Sequence, residues 1–178
     1  MNQTHDEFLS YLIEEGSAWI HTQRDGQRAT AAALDNDRFE RFAPFFEPGT
    51  LTSVRYRLVD RIENPGFYDD LAEQGIDVPL DFSQMVGITF DNTIAISRKK
   101  LRRKYLTRLL FHECVHIAQY RHLGVEAFIS RYVNGWAHNG YNYFLIPLER
   151  QAYELERRFV QGEEFSVEDA VTAFADQR

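Results

Sequence analysis

Residues 105–120, YLTRLLFHECVHIAQY, contain the pattern that decides the fold of this chain. Within them His112, Glu113 and His116 form the pattern His-Glu-x-x-His, in a segment whose apolar residues recur at helical spacing. Successive residues of an α-helix are rotated by about 100°, so the two histidines lie about 40° apart and one turn along the axis. Their imidazoles can therefore reach one metal ion from the same side of a helix.

The other faces of this predicted helix are apolar. We expect it to be buried over most of its circumference, with the histidine face left for chemistry. A chance pattern on a surface helix is the alternative, and it is disfavoured because the apolar sector carries no charge. That sector consists of Leu106, Leu110, Phe111, Cys114, Val115, Ile117 and Ala118.

A catalytic zinc site normally has a third protein ligand and keeps a fourth position for water. Glu149 is the preferred candidate. Pro147 suits the first position of a helix, and Glu149 falls in its first turn, between a charged row and an apolar stripe. From that border a side chain can reach a packed neighbouring helix. The apolar stripe consists of Leu148, Ala152, Leu155 and Phe159. The alternative third ligands are His138, Glu154 and Glu156.

The sequence HECVH, followed by an E-x-x-A helix that starts at Glu149, resembles the gluzincin class of zinc metallopeptidases over about residues 80–159. The resemblance implies a compact, minigluzincin-like domain with a zincin-like fold. Such a fold is α+β and mostly helical, with a small antiparallel or mixed sheet packed on the central motif helix. It also implies Zn²⁺ bound by His112, His116 and Glu149.

Many members of the class continue E-x-x-A with an aspartate, where this chain has Tyr153. Because ligating side chains need partners that orient them, either Glu156 or a tyrosine hydroxyl would have to take the place of that carboxylate.

The resemblance implies hydrolysis of peptide bonds by a zinc-activated water, with Glu113 as the general base. In the resembled class a Tyr or His stabilises the oxyanion, and the aromatic loop predicted after residue 133 offers His138, Tyr141 and Tyr143. For the two tyrosines, burial in the core is the alternative. The expected substrate is a peptide or an unfolded protein. A zinc-binding domain without catalysis, which recognises a partner protein through the same groove, is the alternative function.

Composition predicts one domain with one well-filled core, because 178 residues with 44% hydrophobic and 14% aromatic content suffice for a single core. Its expected parts are an N-terminal helical part (1–50), a small sheet (51–98), the helices of the metal site (99–160) and a C-terminal helix (161–178).

The net charge of -7 disfavours nucleic acid and anionic membrane as partners. The one basic run, at 97–108, is interpreted as a solvated start of the motif helix, with a patch for an acidic partner as the alternative. No apolar run approaches membrane-spanning length, and the start MNQTHDEF lacks a signal-peptide core. The single cysteine cannot form an internal disulfide, so a cytoplasmic location is the default expectation.

Further elements follow from periodicity and turn residues. A strand from residue 51 should belong to an antiparallel sheet, and residues 85–97 should form a hairpin that turns at Asp91 and Asn92. In gluzincins a strand near the motif helix lines the cleft; this hairpin is our candidate, and covering the core is its alternative role. Pro48 and Gly49 predict a turn. Helices are predicted at 4–23, 36–43, 67–74, 125–133 and 147–161, and from Ser166 to Ala175.

Overall fold

The computed structural model describes residues 3–176, which form an α+β fold that is mostly helical and has a small mixed sheet, as predicted. Within this part of the chain, no helix is long and apolar enough to cross a membrane. The elements in chain order are α1 (Gln3–Arg28), α2 (Asn36–Phe42), α3 (Pro48–Ser53), β1 (Arg55–Val59), α4 (Phe67–Glu73), β2 (Gly87–Phe90), β3 (Thr93–Ser97), α5 (Leu106–Leu123), α6 (Val125–His138), α7 (Pro147–Gln161) and α8 (Val167–Ala175).

The three strands lie in the order β1-β3-β2, so β2 is an edge strand. The predicted hairpin is confirmed: β2 and β3 are antiparallel, with Gly87 opposite Ile96. The antiparallel placement expected for β1 is wrong, because β1 runs parallel to β3 with Arg55 opposite Thr93. A parallel pair needs a long crossover connection, and the segment that contains α4 provides it.

Helix α5 lies at the centre of the molecule, and its apolar sector from Leu110 to Ala118 is buried, as predicted; all other residues from 110 to 120, including the histidine face, are buried as well. On one side it packs into a phenylalanine core, in which Phe111 stacks on Phe159 with 4.1 Å between ring centroids. Phe42 contacts Phe111 edge to face at 5.4 Å. The opposite side of α5 carries the histidines and faces β2, α6 and the start of α7.

Two of the predicted boundaries are wrong near prolines and glycines. The turn expected at Pro48 and Gly49 is the first turn of α3, with Pro48 in the first helical position. Residues 134–138, expected in a loop, are the end of α6. Gly135 fits this helix because a Cβ atom there would lie 2.6 Å from Pro147 Cδ. Here glycine permits close packing of α6 on the start of α7 instead of breaking the helix.

The basic run does not begin the motif helix as expected. Residues 98–102 form a loop, residues 103–105 form a 3-10 turn, and α5 starts at Leu106. The Arg98 amide donates to Val59 O at 2.7 Å, which extends the strand contacts past Ser97. Because like charges three or four residues apart destabilise a helix, the cationic residues favour this loop.

Candidate metal site

Three side chains from α5 and α7 meet with their donor atoms at metal-ligand spacing. His112 Nε2 and His116 Nε2 are 3.2 Å apart, and Glu149 Oε2 lies 3.5 Å from each of them. A tetrahedral zinc ion with bonds of about 2.0–2.1 Å separates its ligand atoms by about 3.3–3.4 Å. The three atoms, which we call the ligand triangle, therefore have the size of one face of a tetrahedral site. Among residues 3–176, these are the His, Cys or acidic side chains whose donor atoms lie close enough to one another to share one metal ion.

The Glu149 carboxylate shows that this arrangement fits a cation. Its Oε1 atom accepts a hydrogen bond of 2.9 Å from the Tyr132 hydroxyl, whereas its Oε2 atom is buried without a hydrogen-bond partner. A buried, unpaired carboxylate oxygen is costly unless a cation or a donor satisfies it. A divalent ion at the centre of the triangle would satisfy it, and two imidazoles with one carboxylate are a donor set that zinc accepts.

Each imidazole contacts a side-chain oxygen through its Nδ1 atom, which points away from the ligand triangle. His112 Nδ1 lies 3.0 Å from Glu156 Oε2, and the other oxygen of this carboxylate, Oε1, pairs with Arg108. His116 Nδ1 lies 2.8 Å from Gln119 Oε1. If each Nδ1 carries the hydrogen and donates it to these oxygens, each Nε2 atom is left with a lone pair towards the centre. Glu156 and the Tyr132 hydroxyl thus contact two of the candidate ligands, His112 and Glu149, as expected from the sequence for a glutamate or a tyrosine.

Gln119 also connects the motif helix to the helix that supplies Glu149. Its Nε2 atom donates to Leu148 O at 3.1 Å and to Gln151 Oε1 at 2.9 Å. Gln151 Nε2 in turn donates to Ala170 O of α8 at 2.9 Å. A series of side-chain amides thus runs from His116 across α7 to the last helix.

Glu113 lies beside the ligand triangle and not within it. Its Oε2 atom accepts a hydrogen bond of 2.7 Å from the Thr89 hydroxyl on β2. A Cβ atom at Gly87 would lie 2.5 Å from Glu113 Oε1, so the absence of a side chain at Gly87 makes room for this carboxylate. Burial raises the pKa of Glu113 above its ordinary value, although His112 and His116 oppose that shift. The carboxyl group therefore holds a proton more readily than an exposed glutamate does.

Without a metal ion, His112 and Glu149 form an ion pair. Burial disfavours the charged form of His112, but the nearby Glu149 and Glu156 carboxylates outweigh it and raise the pKa of His112 to about 10. Burial favours protonated Glu149, but the charges of His116 and His112 outweigh it and hold the pKa of Glu149 well below its usual range. An incoming ion must therefore displace a proton from His112.

The structure brings one of the three predicted loop residues to the site. Tyr143 lies beside Glu149, and burial together with the charge of Glu149 raises the pKa of its hydroxyl. Tyr141 packs instead against Trp136, at 4.8 Å between ring centroids. His138 is at the exposed end of α6, with Nδ1 2.7 Å from Asn134 O. Neither His138 nor Tyr141 belongs to the ligand group or to the lining of the cleft described next. The unexpected extension of α6 places His138 there.

A cleft of about 820 Å³, including its open mouth, leads to the ligand triangle. Its walls come from α1, from residues 65–89, from α5 and from α6, with His112, Glu113, His116 and Glu149 at one end.

Sequence reasoning missed Gln119, Tyr132 and Thr89 as partners of the site residues. Gln119 could have been found, because a residue three positions after a ligand on the same helix lies within contact distance. The contacts of Tyr132 and Thr89 join separate elements, and neither residue carries a local sequence signal. Comparisons with protein-family models, with curated proteins and with solved structures find no match for this chain.

Proposed function

We propose that this protein is a zinc-dependent metallopeptidase with a zincin-like arrangement of its motif helix α5 and ligand helix α7. One observation carries the proposal: the ligand triangle of His112, His116 and Glu149 has tetrahedral spacing, and the Glu113 carboxyl group lies beside it without belonging to it. A structural zinc site would have four protein ligands, whereas three ligands leave a position for water, as in catalytic sites.

His112, His116 and Glu149 would hold the ion. A divalent ion bound there supplies a Lewis acid, which polarises a carbonyl group and lowers the pKa of water to about 7. Glu156, Gln119 and the Tyr132 hydroxyl keep the ligand atoms in place for it.

Glu113 would act as the general base. Its carboxylate takes a proton from the attacking water, holds it, and gives it to the nitrogen of the leaving amine. Burial supports this role because it raises the pKa of Glu113, and the Thr89 hydroxyl fixes the direction of the carboxylate. The Tyr143 hydroxyl, which lies beside Glu149, would donate a hydrogen bond to the oxygen of the scissile carbonyl.

The substrate would be a peptide or an unfolded protein that lies along β2. This strand is at the edge of the sheet, and its residues Gly87, Ile88 and Thr89 line the cleft beside Glu113. An extended peptide can add to such an edge through backbone hydrogen bonds. The hairpin would then form the rim of the cleft and also cover the core with Phe90, which is 1% exposed.

The second candidate is a zinc-binding domain without catalysis that binds a partner through the cleft. The burial of the site favours it: Glu113 is 4% exposed and His112 is 5% exposed. In an enzyme, a scissile bond must reach these buried groups. The enzyme and the binding domain therefore predict different effects of substituting Glu113.

Glu113→Gln tests the proposal. The variant should keep one zinc ion per chain, measured by atomic absorption, and should lose hydrolysis of an unfolded-protein digest by about 10²–10⁴-fold. Glu154→Gln, which changes an exposed glutamate of α7 paired with Arg157, should keep both properties. Glu149→Ala should lose the zinc. Undiminished hydrolysis by Glu113→Gln would exclude the peptidase mechanism, and zinc binding without hydrolysis in the parent protein would favour the binding domain.

A further inference from the structure

The walls of the cleft are uncharged beyond the metal site. Of the described residues that line it, the four with acidic or imidazole side chains are His112, Glu113, His116 and Glu149, all at one end. We call the remainder, between α1, residues 65–85 and α6, the apolar chamber. A charged group placed in it would lose its hydration without gaining a partner. The chamber therefore selects against charged side chains.

Aromatic rings line the apolar chamber on two sides. On the α1 side, Trp19 and Phe82 lie 5.1 Å apart between ring centroids. On the α6 side, Phe128 stacks on Tyr120 at 3.7 Å and lies 5.9 Å from Tyr132. The lining is thus aromatic on two sides, and aromatic groups bind well to rings in offset-stacked or edge-to-face arrangements.

The chamber is directly continuous with the metal site. The Phe128 ring lies 6.0 Å from the His116 ring. Across the cleft, Ile88 and Thr89 are adjacent residues of β2, and Thr89 binds the Glu113 carboxylate. A group held in the chamber is therefore about one residue away from a bond positioned at Glu113.

A glycine allows α1 to pack closely on α6 beside the chamber. Gly16 lies within α1, where glycine is less favourable than alanine by about 1 kcal/mol. It lines the cleft, and a Cβ atom there would lie 3.3 Å from Ile129 Cγ2 of α6. A large side chain at position 16 would therefore have to occupy the space between α1 and α6.

We infer that the apolar chamber is a specificity pocket for a bulky apolar side chain, aromatic or of leucine size, next to the scissile bond. This inference rests on the proposed peptidase function and names its class of substrate. The chamber accepts phenylalanine, tyrosine or leucine, disfavours alanine because its space stays unfilled, and rejects aspartate and lysine because it offers no counter-charge.

A peptide library tests this specificity, with cleavage sites identified by mass spectrometry. The parent protein should cleave next to phenylalanine, tyrosine or leucine about 10- to 100-fold faster, in kcat/KM, than next to alanine. Gly16→Leu should remove most of this preference. Ala18→Leu, which adds the same side chain to the exposed face of α1, is the matched control and should retain the preference. A preference for charged residues, or an unchanged preference in Gly16→Leu, would overturn the inference.

Two further measurements keep the inference testable. If Gly16→Leu does not fold, Val133→Leu fills the chamber from α6 and should give the same loss of preference. If the parent protein cleaves no peptide, the proposed function fails and binding tests the chamber separately. N-acetylphenylalanine amide should then broaden its NMR lines on adding protein, whereas N-acetylalanine amide should not. Equal behaviour of the two amides would overturn the chamber as an apolar pocket.

Discussion

The two sides of α5 use the same helix in opposite ways. On the side of Phe111 the space is filled by stacked and edge-to-face rings of the phenylalanine core. On the side of His112 and His116 a cleft remains open, and charged groups are buried at its end. Empty space and buried charge both destabilise a fold. The filled side offsets that cost, because it fixes the helix whether or not the cleft is occupied.

The largest expected effect is a difference in protein stability between substitutions on the two sides of α5. Phe111→Ala should lower the free energy of unfolding by about 3–5 kcal/mol, because it opens a cavity in a close-packed core. Phe128→Ala should cost less, since the Phe128 ring already borders open space. Urea unfolding of both variants, in the presence of EDTA, measures the difference. Equal costs, or a larger cost for Phe128→Ala, would contradict the contrast between a filled and an open side.

The second prediction concerns the residue that orients His112. Glu156→Gln should weaken zinc affinity by about 10- to 100-fold, because the amide holds the imidazole less strongly than the carboxylate does. Glu154→Gln, on the exposed face of the same helix, is the matched control and should leave affinity unchanged. Competition with a fluorescent zinc chelator measures both. Equal affinity in Glu156→Gln and the parent would show that this carboxylate does not support the metal site.

The smallest expected effect is a dependence of metal-free stability on pH, confined to the open side. The pKa of His112 is about 10 in the folded chain against about 6.5 for an ordinary histidine. Its protonation therefore stabilises the fold fully below pH 6.5, and this contribution is lost as pH rises towards 10. The pKa of Glu149 is lowered, so its contribution is present above about pH 4.5 and is lost at lower pH.

The metal-free protein should accordingly lose on the order of 1–3 kcal/mol of unfolding free energy between pH 6.5 and pH 9. The zinc-loaded protein should lose less, because the ion requires neutral imidazoles and is bound better as pH rises. Urea midpoints at several pH values test this, with His112→Gln as the control that removes the titrating group. A flat profile for the metal-free parent would refute the His112–Glu149 ion pair.

Much of the site could be predicted because its residues follow helical periodicity. The pattern at His112 and His116 and the position of Glu149 in the first turn of a proline-started helix are both local signals, and the structure brings the three together. The role of Gln119 had a local signal as well. The contacts of Thr89 and Tyr132 had none, because they depend on how β2 and α6 pack against the site.

The errors in the fold have the same origin. Gly135 carries the local signal of a loop, but its meaning depends on Pro147, a residue of another helix. Likewise, alternation in β1 predicts a half-buried strand but cannot give its direction, which the crossover through α4 determines. Periodicity shows which face of an element is buried; the partner that covers this face becomes visible only in three dimensions.

The amides of Gln119 and Gln151 link metal capture to the assembly of the chain. Gln119 contacts both His116 and Leu148 at the start of α7, and Gln151 joins α7 to α8. Because α7 follows α5 along the chain, a growing polypeptide would complete its ion-binding centre only after α7 has been made. Zinc uptake would then report that α5 and α7 have come together, and a fragment that stops before α7 would leave the ion to other proteins.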